Sequence, residues 1–184
     1  MVRRPPPMPT ILIDSNEKAH GYQYSFDGFQ TQVANLQTGD YSLQGHEERV
    51  AVERKTKADW YGCLAGRGGE NRRRFRDCLG RLSLLDSACI VIECSLDDLA
   101  LPPAYSTRTG RQSLGAYISW AQEFRIPILP CPSREWAEKA ALRWLQAYWR
   151  HHLRDTMTAR QSAPRPTTTA PLGTTSTGGL LHDD

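Results

Sequence analysis

VAVERKTKAD, residues 50–59, follows closely on GDY, residues 39–41, and these two stretches predict a β-hairpin. From Val50 to Lys55 the side chains alternate between two faces, so that Ala51, Glu53 and Lys55 point one way and the residues between them the other. Residues 40–43 form a second short strand. The polar, glycine-containing segment 44–49 has the length of a hairpin connection.

The hairpin register brings two acidic residues together. If Leu43 lies opposite Val50, Asp40 falls directly opposite Glu53, and opposed Cβ atoms are about 4.5–5.5 Å apart. Two carboxylates at that distance repel each other unless a cation lies between them or one is protonated. Oxygen ligands in a partly open site favour Mg²⁺ or Mn²⁺. Asp40 and Glu53 are therefore candidate metal ligands.

Lys55 lies on the same face of the strand as Glu53. Its ammonium group is suited to contacting a phosphate, orienting a water molecule or stabilising the charge of a pentavalent transition state. The alternative is an ordinary exposed strand face, where Glu53 and Lys55 form a surface ion pair beside a turn aspartate. The residue types alone leave both interpretations open.

A longer pattern favours the first interpretation. Gly-Asp-Tyr followed by Glu-Arg-Lys-x-x-x-Asp resembles the signature of the XPF-type structure-specific endonucleases, the excision-repair cross-complementation group 4 nuclease domain of the restriction-endonuclease-like PD-(D/E)xK superfamily. The matching positions are Gly39, Asp40, Glu53, Arg54, Lys55 and Asp59. The resemblance implies a central sheet flanked by helices, and a divalent-metal-dependent cleavage of DNA.

The resemblance also implies a role for each matching side chain. Asp40 and Glu53 would ligate the metal, and Lys55 would assist the attacking water or the transition state. Arg54 and Asp59 would support the site.

An acidic pair after the first predicted strand, Asp14 and Glu17, fits the same family. The family usually has an arginine just before that glutamate. This chain has Asn16 there, so this position has no guanidinium that could contact a phosphate. Two of the acids have structural alternatives. Asp59 fits a capping box that begins with Thr56, and Asp14 fits a turn at a strand end.

An arginine cluster follows the motif and comprises Arg67, Arg72, Arg73, Arg74 and Arg76. Helical spacing places Arg72 and Arg76 on one face, while Phe75 faces inward. We interpret the cluster as a site that binds DNA phosphates without reading bases; the alternative is a solvated helix face. No aromatic residue alternates with the arginines, so a stacking platform for single strands is not indicated.

The composition indicates one domain with tails: 184 residues, 39% of them hydrophobic, with five tryptophans to fill a core. Net charge is only +3, which excludes a histone-like polycation. Nineteen arginines against four lysines fit either phosphate recognition or a GC-rich coding sequence. The five cysteines form no C-x-x-C pair, and no signal peptide or membrane span is evident. We expect a reduced, cytoplasmic protein without membrane association.

The remaining periodicity predicts an α/β fold with a mixed central β-sheet flanked by helices. Besides the hairpin, strands are predicted at 10–13, 31–36, 88–94 and 126–129, and helices at 56–65, 72–85, 113–124 and 133–153. The last helix has an apolar stripe of Trp136, Ala140, Trp144, Ala147 and Tyr148, typical of core packing. Residues 1–9 are expected to be a flexible Pro-rich leader, 10–153 the nuclease domain, and 154–184 a disordered Thr/Pro/Gly-rich tail.

We therefore expect a structure-specific endonuclease for branched, flap or junction DNA in repair or recombination. The alternatives are a catalytically silent DNA-binding scaffold of the same fold, or a sequence-specific restriction-like nuclease. Relatives usually carry a C-terminal helix-hairpin-helix module, which the polar tail does not supply. Substrate choice is then expected to come from the domain itself, a homodimer or a partner protein. A bacterial, phage or mobile-element origin is a guess.

Overall fold

The predicted hairpin lies in the middle of a six-stranded mixed β-sheet. The computed structural model describes residues 6–65 and 69–162. The elements follow one another in this order: β1 (Ile11–Asp14), α1 (Ser15–Ala19), β2 (Thr31–Ala34), β3 (Tyr41–Leu43), β4 (Val50–Lys55), α2 (Lys57–Leu64), α3 (Glu70–Leu82), β5 (Ser87–Ile92), α4 (Leu96–Leu99), α5 (Gly110–Phe124), β6 (Ile128–Pro130) and α6 (Arg134–Ser162). None of the helices in these two ranges is long and apolar enough to cross a membrane.

The strand order is β2-β1-β3-β4-β5-β6, and among these strands β3 alone runs against the others. The carboxyl ends of β1, β4 and β5 therefore lie at the same end of the sheet as the start of β3. The expected α/β fold with a mixed sheet is confirmed. The short helices α1 and α4 were not predicted.

Helices cover both faces of the sheet because β4 and β5 are apolar on both sides. On one face Ala51, Ile90 and Ile92 pack with side chains of α2, α3 and α5, including the fully buried Trp60 and Trp120. On the other face Tyr41, Val50, Val52 and Val91 pack against α6. Successive β4 residues belong to different faces, as the alternation predicts.

The apolar stripe predicted for α6 is confirmed at Tyr148, which is buried, and Ala140 and Trp144 are half-buried against the core. The other buried positions lie one residue further along the helix than predicted. The residues of this helix buried against the sheet are Ala137, Ala141, Leu145 and Tyr148. Trp136 is 57% exposed, so its assignment to the core was wrong. Alanines four residues apart allow the helix to approach the sheet closely, and a tryptophan at their positions would hold it away.

α6 also extends further than predicted, to Ser162 instead of about Leu153. The sequence contains no proline or glycine between residues 154 and 162, and Pro164 follows the observed end. Residues 163–184, the larger part of the predicted tail, lie outside the described residues, as do residues 1–5 of the leader.

Gly39 determines how the chain enters β3. Its φ of +78° is in the left-handed region, and a Cβ added there would lie 2.8 Å from the Cβ of Ala51. A side chain at position 39 would thus meet β4 as well as cost backbone strain. This explains a glycine directly before Asp40.

Gly39→Ala is expected to destabilise the protein more than Gly45→Ala. Both glycines have a φ of +78°, but nothing lies within 4 Å of a Cβ at Gly45. Gly45→Ala should therefore cost only the backbone strain, about 1–2 kcal/mol. Gly39→Ala should cost more, because Ala51 must also move. Urea unfolding of both variants measures the difference, and equal losses would contradict the steric account.

Candidate active site

Acidic residues from four different segments meet at one end of the sheet. They are Glu17 in the helix after β1, Asp40 before β3, Glu53 near the end of β4 and Glu93 directly after β5. The strand directions bring them together, since β1, β4 and β5 end where β3 begins. Three of these four acids were predicted site residues.

Glu53 and Lys55 form an ion pair that is largely shielded from water. Glu53 is 7% exposed, and Lys55 Nζ lies 2.5 Å from Glu53 Oε1 and 5.2 Å from the centre of the Phe75 ring. Burial acts to lower the Lys55 pKa, but the charges of Glu53 and Asp40 outweigh it, and the pKa is raised. The ammonium group therefore stays protonated beside the acids.

Asp40 does not pair with Glu53 as a regular opposite residue. The register places Tyr41 opposite Val52, as predicted, but the Asp40 N–H donates to the Val52 carbonyl at 2.9 Å. The Arg54 peptide N–H then donates to Asp40 Oδ2 at 2.6 Å. The predicted direct opposition is corrected: Asp40 departs from regular pairing, and its own side chain continues the contact between the strands.

The Asp40 carboxyl is held in a place that disfavours its charge. Burial raises its pKa well above the usual range, and the negative charge of Glu53 raises it further. Lys55 and the Arg54 N–H act in the opposite direction without cancelling these effects. The charge of Glu53 therefore acts on Asp40, as the sequence predicts for two carboxylates held close together.

Glu17 extends the acidic group from the helix side. Its Oε2 accepts from the Tyr41 hydroxyl and from Arg54 Nη1, each at 3.4 Å. Burial raises the Glu17 pKa; Arg54 lowers it, and Glu53 raises it again. Glu17 is thus electrostatically linked to the carboxylate pair as well as to Arg54.

These residues suit a hard divalent cation. Asp40 and Glu53 provide carboxylate oxygens, and a cation between them would offset both the burial of the Asp40 charge and its repulsion by Glu53, which together raise the Asp40 pKa. Within residues 6–65 and 69–162, no three His, Cys, Asp or Glu side chains already form a metal-binding group. Two carboxylates fit Mg²⁺, which usually keeps several waters and binds through one or two carboxylates together with substrate phosphates.

Arg54 points to the opposite face of β4 and binds an acid that the sequence analysis missed. Its Nε and Nη2 donate to the two oxygens of Glu93 at 2.7 and 3.0 Å. Arg134 also donates to Glu93 Oε1 at 3.0 Å. The sequence feature that could have indicated Glu93 is its position directly after the apolar strand β5.

Comparison with known families finds that a model of the ERCC4 domain matches residues 13–163. The chain belongs to the ERCC4 domain family. The family consists of nucleases, and the resemblance found in the sequence is confirmed.

Solved structures show the same fold as this ERCC4 domain. "XPF from Aeropyrum pernix" is 19% identical, with 95% of this chain and 70% of that chain covered and a TM-score of 0.54. "XPF from Aeropyrum pernix, complex with DNA" is 18% identical, with 85% and 68% covered and a TM-score of 0.53. No curated protein gives a significant match.

In this ERCC4 domain both oxygens of Asp14 accept hydrogen bonds from the backbone. Oδ2 accepts from the Asn16 N–H at 3.0 Å, as the N-cap of α1, and Oδ1 from the Leu36 N–H at 2.9 Å. These contacts agree with the structural alternative for Asp14, because its carboxylate joins β1, α1 and the segment after β2.

Asp59 forms the expected capping box with Thr56 at the start of α2. Its Oδ2 accepts from the Thr56 hydroxyl at 2.7 Å and from the Thr56 N–H at 3.1 Å. The same residue also lines an open cleft of about 470 Å³ between α2 and α3, together with Glu53, Lys55 and Arg74. Asp59 is therefore both a helix cap and a wall of the cleft beside the ion pair.

The arginines of the cluster point in different directions. Arg72 lies over the Trp120 ring, and Arg76 makes a bidentate ion pair with Glu123, so both face α5, as their shared helix face predicts. Arg74 lines the cleft and pairs with Glu70 at 2.6 Å, and Arg73 is exposed. Arg67 lies outside the described residues.

Asp40→Asn is expected to stabilise the protein near pH 7 in EDTA, on the order of 1 kcal/mol. The folded-state pKa of Asp40 is raised, so the stability that this residue contributes below its unfolded pKa is lost as the pH rises through the folded pKa. The asparagine oxygen can still accept from the Arg54 N–H.

The measurement is urea unfolding in EDTA over a range of pH, with the exposed Asp77→Asn as control. The gain of Asp40→Asn should disappear at acidic pH, where the wild-type carboxyl is protonated in both states. A variant that is less stable than wild type at pH 7 would contradict the electrostatic account.

Proposed function

We propose that this ERCC4 domain is a divalent-metal-dependent DNA endonuclease that hydrolyses phosphodiester bonds at branched, flap or junction DNA, in repair or recombination. The observation that carries the proposal is the buried group of Asp40, Glu53 and Lys55: burial and then the charge of Glu53 raise the Asp40 pKa, while Lys55 contacts Glu53 at 2.5 Å. An ordinary surface ion pair would be exposed to water, whereas Glu53 and Lys55 are largely shielded from it. Membership of a nuclease family supports the same reaction.

Asp40 and Glu53 would hold Mg²⁺ or Mn²⁺, and such an ion supplies Lewis acidity and a water of lowered pKa. Lys55 keeps its proton because its neighbours are acidic, so its Nζ donates hydrogen bonds towards a phosphate oxygen or the attacking water. Arg54 fixes Asp40 through its peptide N–H and Glu17 through its guanidinium. Asp59 keeps the start of α2 in place beside Lys55.

DNA is the proposed partner, bound mainly through its phosphates. Arg73 and Arg74 are exposed on α3, and Arg74 borders the cleft that contains Glu53 and Lys55. A backbone phosphate of the strand that enters the cleft would lie within reach of these guanidinium groups. One XPF structure of this fold was solved in complex with DNA, which supports the same partner class.

Substrate choice is proposed to lie in this domain, in a homodimer or in a partner protein. All five cysteines are free, which supports action in a reducing compartment such as the cytoplasm.

Asp40→Asn, Glu53→Gln and Lys55→Ala are each expected to lower Mg²⁺-dependent cleavage about 10²–10³-fold or more, with DNA binding largely retained. Each removes a charge that acts on the reacting phosphate and not on the rest of the DNA. The measurement is cleavage of flap, branched, duplex and single-stranded oligonucleotides with and without EDTA. Glu48→Gln, at the exposed turn of the same hairpin, is the matched control.

Near wild-type turnover by any of the three variants would refute the site assignment. DNA binding without metal-stimulated cleavage of any substrate would instead favour the silent scaffold. Cleavage at one fixed duplex sequence would favour the restriction-like alternative.

Arg73→Gln and Arg74→Gln are each expected to reduce the slope of log Kd against log salt concentration by about 1, through loss of a phosphate contact. Arg76→Gln is the control on the same helix, because Glu123 holds its guanidinium in a bidentate ion pair, whereas Arg74 makes a single, more exposed contact with Glu70. Affinity measured by fluorescence anisotropy over a range of salt tests this. Equal slopes for all three variants would show that the exposed arginines do not contact phosphates.

A further inference from the structure

We propose that Glu93 and Arg134 are positioning residues that fix Arg54, and through Arg54 the acids Asp40 and Glu17. The inference rests on the proposed function of that site and names two residues that the family signature in this sequence does not include. Neither side chain is placed in contact with substrate or metal.

Glu93 is bound from three directions. Its backbone N–H donates to the Lys55 carbonyl at 2.8 Å, which continues the β4–β5 pairing past the last strand residue. Its carboxylate, only 9% exposed, accepts two hydrogen bonds from Arg54 and one from Arg134. A buried carboxylate with this many donors has one defined orientation.

Arg134 connects Glu93 to the rest of the fold. Its Nη2 donates to the carbonyls of Tyr22 and Gln23, both at 2.7 Å, and its guanidinium lies 5.1 Å from the centre of the Tyr24 ring. Arg134 is also the first residue of α6, where the helix dipole disfavours a positive charge. The acceptors around it offset that cost, which explains an arginine at this position.

Arg54 transmits this arrangement to the site. Its side chain is 3% exposed and lies 5.2 Å from the centre of the Tyr22 ring. Arg54 contacts Glu17 through Nη1 and Asp40 through its peptide N–H. A change in the position of Arg54 would therefore displace two acids of the site at once.

Removal of one charged partner from this group should lower metal affinity or activity. Without the Glu93 charge, Arg54 and Arg134 are two neighbouring cations with no carboxylate between them. Groups that orient ligand residues typically change metal affinity or activity about 10–100-fold when mutated. Arg134 is 43% exposed, so its loss should leave the fold intact.

The experiment compares Glu93→Gln, Arg134→Gln and Arg134→Lys, with Arg143→Gln on the same helix as control. The control side chain is exposed and donates a hydrogen bond to the Gln146 side chain. On flap DNA, Glu93→Gln and Arg134→Gln should lower kcat or raise the Mg²⁺ midpoint about 10–100-fold, with KM for DNA unchanged. Arg134→Lys should recover part of the loss, since its ammonium can still donate to Glu93.

A second readout does not depend on cleavage. The Arg54 backbone amide, with its 2.6 Å bond to Asp40, should give a strongly downfield proton resonance in metal-free protein. That resonance should move upfield in Glu93→Gln and Arg134→Gln and stay in place in Arg143→Gln. Mn²⁺ binding by calorimetry should weaken in the same two variants.

The two proposals fail in different ways. If wild-type protein neither binds Mn²⁺ nor cleaves DNA, the proposed function fails, and the amide resonance alone decides whether Glu93 and Arg134 position Arg54. If folded Arg134→Gln and Glu93→Gln retain the wild-type amide resonance, Mg²⁺ midpoint and kcat, the positioning role is overturned. A general loss of stability without these specific changes would also overturn it.

Discussion

The hydrogen bond from the Arg54 peptide N–H to the Asp40 carboxylate is the contact on which the arrangement of the site depends. It continues the β3–β4 contact beyond the regular pair of Tyr41 and Val52. If a backbone carbonyl of β3 accepted this hydrogen bond, the β3–β4 pairing would continue without a charged group. A carboxylate there instead brings negative charge next to Glu53, at the cost of a raised Asp40 pKa. The strand pairing that stabilises the hairpin thus also holds two like charges together.

Local pattern was enough to predict the parts of the site that lie on β4 and its neighbours. The alternation of Val50–Lys55 gave the correct faces, closing the hairpin with Leu43 opposite Val50 gave the register of Tyr41 and Val52, and the Thr56 capping box was visible as a motif. These features depend on residues close in sequence. Asp40 was placed on the correct face, but its departure from regular pairing depends on the left-handed Gly39 and on its own side chain.

The parts that the sequence could not predict depend on contacts between distant segments. Glu93 carries no motif, and its partners Arg54 and Arg134 lie 39 and 41 residues away along the chain. The core face of α6 was misjudged at Trp136 because tryptophan is more apolar than alanine, whereas the distance to the sheet selects the small residues Ala137 and Ala141. In both cases the outcome depends on how distant segments are placed in three dimensions, which local patterns in a single sequence do not show.

The charges around the proposed site explain why a metal and a phosphate would bind there together. Within the described part of the site, four carboxylates face three cationic groups: Glu17, Asp40, Glu53 and Glu93 against Arg54, Lys55 and Arg134. With all of them ionised, the group carries one net negative charge. A divalent cation would reverse this to one net positive charge, and a phosphodiester, with its single negative charge, would restore neutrality. Loss of Glu93 removes a negative charge without touching the metal ligands, so electrostatics and geometry both predict weaker cation binding. Loss of Arg134 makes the group more negative, so the weaker cation binding expected for Arg134→Gln depends on geometry alone.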